Sequence, residues 1–300
     1  MIAAYIATVC ASLLYGISPI LVKLVLQTGM TSGWVAVFRF YLTALFAFLY
    51  LFLWVHPLRV TKKQALHLGV FGFAGFGMTI FLLSCSYQFL PVSMSMLFHF
   101  TYPIFVNIAM VIIFREKGSW LQLAATLIAI GGMVAVTKFN VGLNVTGVLL
   151  AAASGIAYSC YVIANKKSAI SEVYPVTAAF YISLISGTGF LAEALITEPP
   201  PVVTFGGVLL LIVIALFCTL LTLLLLIFGI RKLGAVKVSV INMFEPIMSI
   251  ILGAICFQEP MTFLTVIGCV LILGASLLIV FEPHIKKHVC SLREKEADPS

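Results

Sequence analysis

The sequence predicts an all-α integral membrane protein in which ten transmembrane helices form two inverted five-helix repeats. Three observations carry this reading: the composition, the spacing of the apolar runs, and a self-match at a shift of 143 residues. Of the 300 residues, 62% are hydrophobic and 9% charged. Soluble domains carry about 25% charged residues. A water-facing surface cannot be built from so few, so lipid must solvate most of the chain.

A spanning helix needs about 20 apolar residues. Charges, prolines and polar clusters cut the sequence into ten such runs, at 3–25, 33–55, 66–87, 92–114, 119–138, 146–165, 175–196, 206–228, 236–257 and 262–281. The first stays uncharged from Met1 to Val22 with no basic residue before it, so a retained helix is expected rather than a signal peptide. From Leu68 to Phe114 there is no Lys, Arg, Asp or Glu. That length requires two spans, with the turn expected in the polar stretch Ser84–Gln88 before Pro91. Pro199, Pro200 and Pro201 cannot easily continue a helix and belong to the loop before the eighth run. The loops are too short for a soluble domain, and the only hydrophilic segment is the charged tail 282–300.

The basic residues set the expected orientation, because cytoplasmic loops are enriched in Lys and Arg. With a cytoplasmic N-terminus, Arg59, Lys62, Lys63, Arg115, Lys117, Lys166, Lys167, Arg231, Lys232, Lys286, Lys287, Arg293 and Lys295 all face inward, and Lys138 alone faces outward. Thirteen against one also supports an even number of spans, with the C-terminus cytoplasmic. The net charge of +7 is therefore a topology signal, and no nucleic-acid partner is expected. Six of the seven cysteines lie in apolar runs without a CxxC, so neither a disulfide framework nor a metal site is expected. No ATP-binding, HExxH or GxSxG motif occurs, and no cofactor is expected. The glycine-rich stretch Gly72–Gly77 lacks the phosphate-binding lysine and reads as a close-packing surface.

Shifted by 143, Tyr15 falls on Tyr158, Lys23 on Lys166, Leu90 on Leu233, Pro103-Ile104 on Pro246-Ile247, Glu116 on Glu259 and Gly131 on Gly274, with no gap. The expected domains are 1–138 (five helices), 146–281 (five helices) and the tail 282–300. Copies with an odd number of spans enter the bilayer from opposite sides. Inverted repeats of this kind are typical of secondary transporters, because the halves can exchange conformations to open either side.

With these motifs in place, the chain resembles the EamA branch of the drug/metabolite transporter (DMT) superfamily across residues 1–281. Leu14-Tyr15-Gly16-Ile17-Ser18-Pro19 is similar to the family's aromatic-Gly-Ser-x-Pro opening, and Arg39 to its frequent arginine. Leu90-Pro91-Val92-Ser93, Tyr102-Pro103 and Phe114-Arg115-Glu116 resemble a family pattern that returns as Leu233-Gly234-Ala235-Val236, Glu245-Pro246 and Phe257-Gln258-Glu259. Arg115 stands where the family often has glycine. The resemblance implies a ten-helix fold with a central cavity between the halves, possible homodimers, and transport of amino acids, other metabolites, drugs or nucleotide sugars.

Ionisable groups inside a membrane are costly and mark function or pairing. Glu245, beside Pro246, reads either as a substrate-amine or proton site, or as a structural partner of Arg39 or Lys23. Arg39 and Lys23 are candidate charge partners that could equally snorkel to an interface. His99 and Tyr102, with their repeat mates Asn242 and Glu245, occupy matching i, i+3 positions expected to meet at the cavity. His99 could couple protons to transport or simply donate to a carbonyl. Tyr15, Ser18, Tyr158 and Tyr161 repeat across the first and sixth runs and either line the cavity or pack the core. Ser84, Ser86, Tyr87 and Gln88 fit an outer gate or a plain turn. The expected function is a secondary transporter, not an enzyme. It would move an amino-acid-like or amphipathic metabolite, in the export direction, across the plasma membrane. A non-transporting assembly or sensor protein, or a lipid-modifying membrane enzyme, are the alternatives.

Overall fold

The computed structural model describes residues 1–54, 58–90, 92–115, 119–136, 144–257, 263–264, 266–268, 270–275, 277–278 and 281. Glu116, Lys117, Lys138, Glu259 and the tail from 282 lie outside these residues. The described elements are helical. The first half opens with α1 (Ile2–Gln27) and α2 (Ser32–Leu53). Next, α3 (Lys62–His67) runs through a π-helical stretch, Leu68–Gly77, into α4 (Met78–Ser86). Then come α5 (Val92–His99), α6 (Tyr102–Ile112) and α7 (Trp120–Val136). The second half holds α8 (Val145–Lys167), α9 (Pro175–Thr197), and α10 (Phe205–Ala215), which passes through a π-helical stretch, Leu216–Leu221, into α11 (Thr222–Leu233). It ends with α12 (Ala235–Ile241), a 3-10 turn at Asn242–Phe244, α13 (Glu245–Phe257), and a short apolar helix at Val266–Ala275.

Among the described residues, six helices are long and apolar enough to cross a membrane: Ile2–Gln27, Ser32–Leu53, Lys62–Ser86, Val145–Lys167, Pro175–Thr197 and Phe205–Leu233. Their bounds lie within a few residues of the expected runs, because composition alone sets them. The fourth and ninth expected runs are not single helices. Each is broken in its middle, between α5 and α6 and again between α12 and α13.

Local chemistry accounts for several ends. Thr61 and Gln64 form a reciprocal capping box that starts α3. Asn144, the first residue of a glycosylation-like triplet, caps α8 by accepting from Gly147 N. The α2 N-terminus has no side-chain cap of its own, and a carboxylate from the end of α9 serves instead. Glu198 accepts from Thr31 Oγ1 at 2.5 Å, Gly33 N at 3.0 Å and Trp34 N at 3.1 Å. Arg115 has φ +52°, a left-handed conformation that glycine adopts without cost, which accounts for glycine in the resembling pattern.

Helix packing follows the repeat. The most extensive pairing, α2 with α9, joins two repeat mates. The pairing of α1 with α11 has its counterpart in α8 with α4, and that of α1 with α13 in α8 with α6. Exchange of this kind under the 143-residue shift is the contact pattern of a pseudo-two-fold arrangement. The Gly72–Gly77 stretch does serve close packing. A Cβ on Gly72 would meet Ile182, one on Gly75 would meet Tyr161, and one on Gly77 would meet Ser186.

Candidate functional site

The two helix breaks organise the site. Proline has no N–H, so Pro103 cannot donate to the His99 carbonyl, nor Pro246 to the Asn242 carbonyl. Each continuous run is thereby divided at repeat-equivalent points, His99–Tyr102 and Asn242–Glu245. Small residues of the first helix in the opposite half pack directly against these points. Ser12 Oγ donates to Ile241 O at 3.3 Å, and a Cβ on Gly16 would stand 2.6 Å from Glu245 O. In the mirrored contact, a Cβ on Gly155 would stand 2.6 Å from His99 O, and Ser159 Oγ reaches Tyr102 O at 3.3 Å. Ser12 and Gly16 are the repeat mates of Gly155 and Ser159, so the same close approach is built twice with the two residue types exchanged. Larger side chains at these four positions would push the breaks away from the helices that hold them.

One cavity reaches from Glu245 and His99 to Tyr87 at the end of α4. Tyr15, Phe76, Tyr87 and Tyr158 supply aromatic walls, and Ser18, Thr79, Ser84, Arg39, His99 and Glu245 supply polar groups. Arg39 is only 4% exposed. Its Nε donates to Thr219 Oγ1 at 2.7 Å and its Nη2 to Cys218 O at 3.0 Å. Both acceptors belong to the π-helical stretch Leu216–Leu221, where the wider turn diverts carbonyls from the regular ladder. The guanidinium is thus fixed in orientation at the cavity wall.

His99 Nδ1 lies 2.9 Å from Ser154 Oγ, and Ser154 Oγ lies 2.6 Å from Ala151 O. The serine has one proton and the carbonyl can only accept, so the serine donates to Ala151 and receives from His99. Nδ1 therefore carries a proton, and Nε2 is the nitrogen whose protonation can change. The ring sits between Tyr102 and Tyr158, 5.5 Å from each centroid, and those two tyrosines meet edge-on at 4.8 Å. Tyr102 Oη donates to Ser239 O at 3.0 Å, and Asn242 Nδ2 donates to Tyr158 Oη at 3.4 Å. Tyr15 Oη and Asn242 Oδ1 are buried without a hydrogen-bond partner among the described residues. Such groups are costly in a finished interior and are satisfied by a ligand or water.

Comparison with known proteins agrees with the repeat and the helix pattern. The sequence profile of the EamA-like transporter family matches residues 2–138 and, a second time, residues 145–281. The chain belongs to the EamA-like transporter family. A protein crystal structure, 17% identical, superposes with a TM-score of 0.79 over 92% of this chain and 96% of that one, a likeness of fold. No curated protein matches. Members of the EamA family are membrane transporters rather than enzymes, and the two matches coincide with the two halves of the fold.

In this EamA protein, Tyr15, Ser18, Arg39, His99, Tyr158 and Glu245 share one cavity. Tyr102, Tyr161 and Asn242 pack around His99 and Tyr158 and are absent from the cavity wall. Lys23 is half-buried and also lies off the wall. The broken helices revise one expectation. His99 and Tyr102 do not share a face of one continuous helix; they flank a break, as do Asn242 and Glu245. Ser84 and Tyr87 line the cavity, while Gln88 Nε2 donates to Ser32 Oγ at 3.0 Å. Sequence reasoning missed Thr219, Cys218, Phe76 and Ser154. Thr219, a polar residue in an apolar stretch, is the repeat mate of the lining residue Phe76, a relation visible once the 143-residue shift is applied.

Proposed function

We propose that this EamA protein is a secondary transporter for a small amino-acid-like or amphipathic metabolite, working by alternating access at the cavity between its two repeats. The observation that carries this reading is the meeting of Arg39, from the first half, and Glu245, from the second, at one cavity with aromatic walls. A fixed cation and a carboxylate across a pocket complement the two charges of a zwitterion. The rings suit an apolar side chain between them.

The orientation we infer follows the basic residues: ten crossings, both termini in the cytoplasm, and the halves inverted in the plasma membrane. The cavity then lies toward the outer side, and substrate leaves the cell by that route. Flux of labelled amino acids and amphipathic amines through purified protein in liposomes tests the proposal. The expected outcome is saturable flux of one class, reduced at least about tenfold by Glu245→Gln at equal reconstitution. An intact fold with no flux of any compound favours the sensor or assembly reading instead.

A further inference from the structure

Glu245 and His99 line the same cavity. Among the described residues, neither the Glu245 carboxylate nor His99 Nε2 has a hydrogen-bond partner. The two groups ask different things of a ligand. A carboxylate attracts any cation through its charge, whether or not that cation carries N–H groups. A neutral imidazole nitrogen offers a lone pair and is satisfied only by a donor. His99 therefore adds a demand that Glu245 does not make.

Ser154 decides which ring nitrogen makes that demand. Its hydroxyl gives its one proton to Ala151 O at 2.6 Å, so it receives from His99 Nδ1 at 2.9 Å. The ring is 4% exposed and lies between Tyr102 and Tyr158, where an uncompensated charge is costly. In the neutral ring, with Nδ1 carrying the proton, Nε2 is bare. The serine is itself held in place. Thr79 Oγ1 approaches Ser154 O at 3.2 Å, and the neighbouring Gly155 lets the His99 carbonyl come close, since a Cβ there would stand 2.6 Å from it. The repeat mates lack this pair. Ala11 stands in the place of Ser154 and Asn242 in the place of His99, and Asn242 Nδ2 donates to Tyr158 Oη at 3.4 Å instead. Only one of the two helix breaks carries a ring nitrogen fixed by a serine.

The structure assigns His99 Nε2 as the acceptor of a substrate N–H, with Ser154 as its positioning residue, and assigns the substrate's cation as an ammonium that still carries protons rather than a fully N-methylated one. The ligand class rests on the transport reading; the tautomer of His99 does not. A trimethylammonium would satisfy the charge of Glu245 and leave the Nε2 lone pair facing methyl groups. A site whose buried polar group goes unpaired rejects the ligand that leaves it so.

The experiment uses the full chain in detergent, with its histidines carrying the heavy nitrogen isotope, read by NMR. The His99 signals are identified by their loss in His99→Gln. The first arm needs no ligand. Wild type is expected to show a protonated Nδ1 and an unprotonated Nε2, and Ser154→Ala to redistribute the proton between them. An unprotonated Nδ1 in wild type, or the same tautomer in Ser154→Ala, overturns the assignment whatever the protein carries. The second arm adds leucine or hexylamine, each beside its N,N,N-trimethyl form, and follows the Nε2 resonance. A primary form is expected to move it at a concentration at least about tenfold below its trimethyl form, and that ratio to fall toward one in Ser154→Ala. Equal potency of the two forms in wild type, no movement with any of the four compounds, or a ratio unchanged in Ser154→Ala overturns the inference. Saturable flux of a panel compound matched by equal flux of its trimethyl form sinks the inference and leaves transport standing. Absence of flux against the whole panel counts against the transport reading, and the first arm still decides the tautomer.

Discussion

The two ends of the pseudo-symmetric core are built on the same backbone plan and filled with opposite chemistry. Toward Gln88, the cavity walls include Arg39, Ser84 and Tyr87. Their mates toward Arg231 are Ile182, Ile227 and Ile230, each 0% exposed. Leu223 and Leu226, mates of the lining residues Ile80 and Leu83, are equally buried. One end presents charged and polar groups to a cavity, while at the other the corresponding positions are packed aliphatic side chains. Gene duplication supplied two equivalent frames, and side-chain divergence made only one of them a polar vestibule.

The largest effect is expected from forcing the polar chemistry onto the packed end. Ile182→Arg places a cation in a fully packed site where α9 meets the π-helical stretch at Gly72, and the mate of Thr219 there is Phe76, which offers no hydroxyl to accept from it. A loss of several kcal/mol, read as failure to fold or loss of monodisperse protein in detergent, is expected. The reverse substitution, Arg39→Ile, makes the vestibule resemble its packed mate. The protein should remain folded, because Thr219 keeps a hydrogen bond to Ile214 O at 2.9 Å, while flux falls at least about tenfold. Equal loss of protein in both variants would show that the two ends are not chemically distinct.

His99→Ala removes the donor to Ser154 and opens space between Tyr102 and Tyr158. Flux is expected to fall several-fold with membrane expression unchanged; wild-type flux would remove His99 from the site. The smallest effect comes from comparing the mates Tyr15→Phe and Tyr158→Phe. Tyr15 Oη has no partner among the described residues, so its removal should shift stability by less than about 0.5 kcal/mol and alter substrate KM. Tyr158 Oη accepts from Asn242, so its removal is expected to cost about 0.5–1.5 kcal/mol in thermal unfolding. A larger stability cost at Tyr15 than at Tyr158 would reverse the assignment of ligand-facing and packing roles.

Much of the fold was legible because lipid leaves few options. Runs of about 20 apolar residues had to be helices, and the ends of the six long helices fall close to where charge and proline place them. The site was partly legible for the same reason. Glu245, Arg39 and His99 stand out against an apolar background, and all three line one cavity. Their partners did not stand out. Thr219 and Cys218 become acceptors for Arg39 only because a π-helical turn in α10–α11 presents them, and no local residue preference announces that turn. Ser154 resembles any other small residue on a packed helix until His99 is found against it.

The sequence by itself determined that this is a membrane-embedded helical protein with a duplicated plan, since hydropathy and an ungapped shift are properties of the chain alone. It also carried the cause of the two helix breaks, because Pro103 and Pro246 each remove one N–H from the ladder. Which residues share the cavity, and which of two equivalent ends carries it, were decided only by tertiary structure. Those outcomes depend on how α1 and α8 press their small residues against the breaks and on which side chains are then left without a partner.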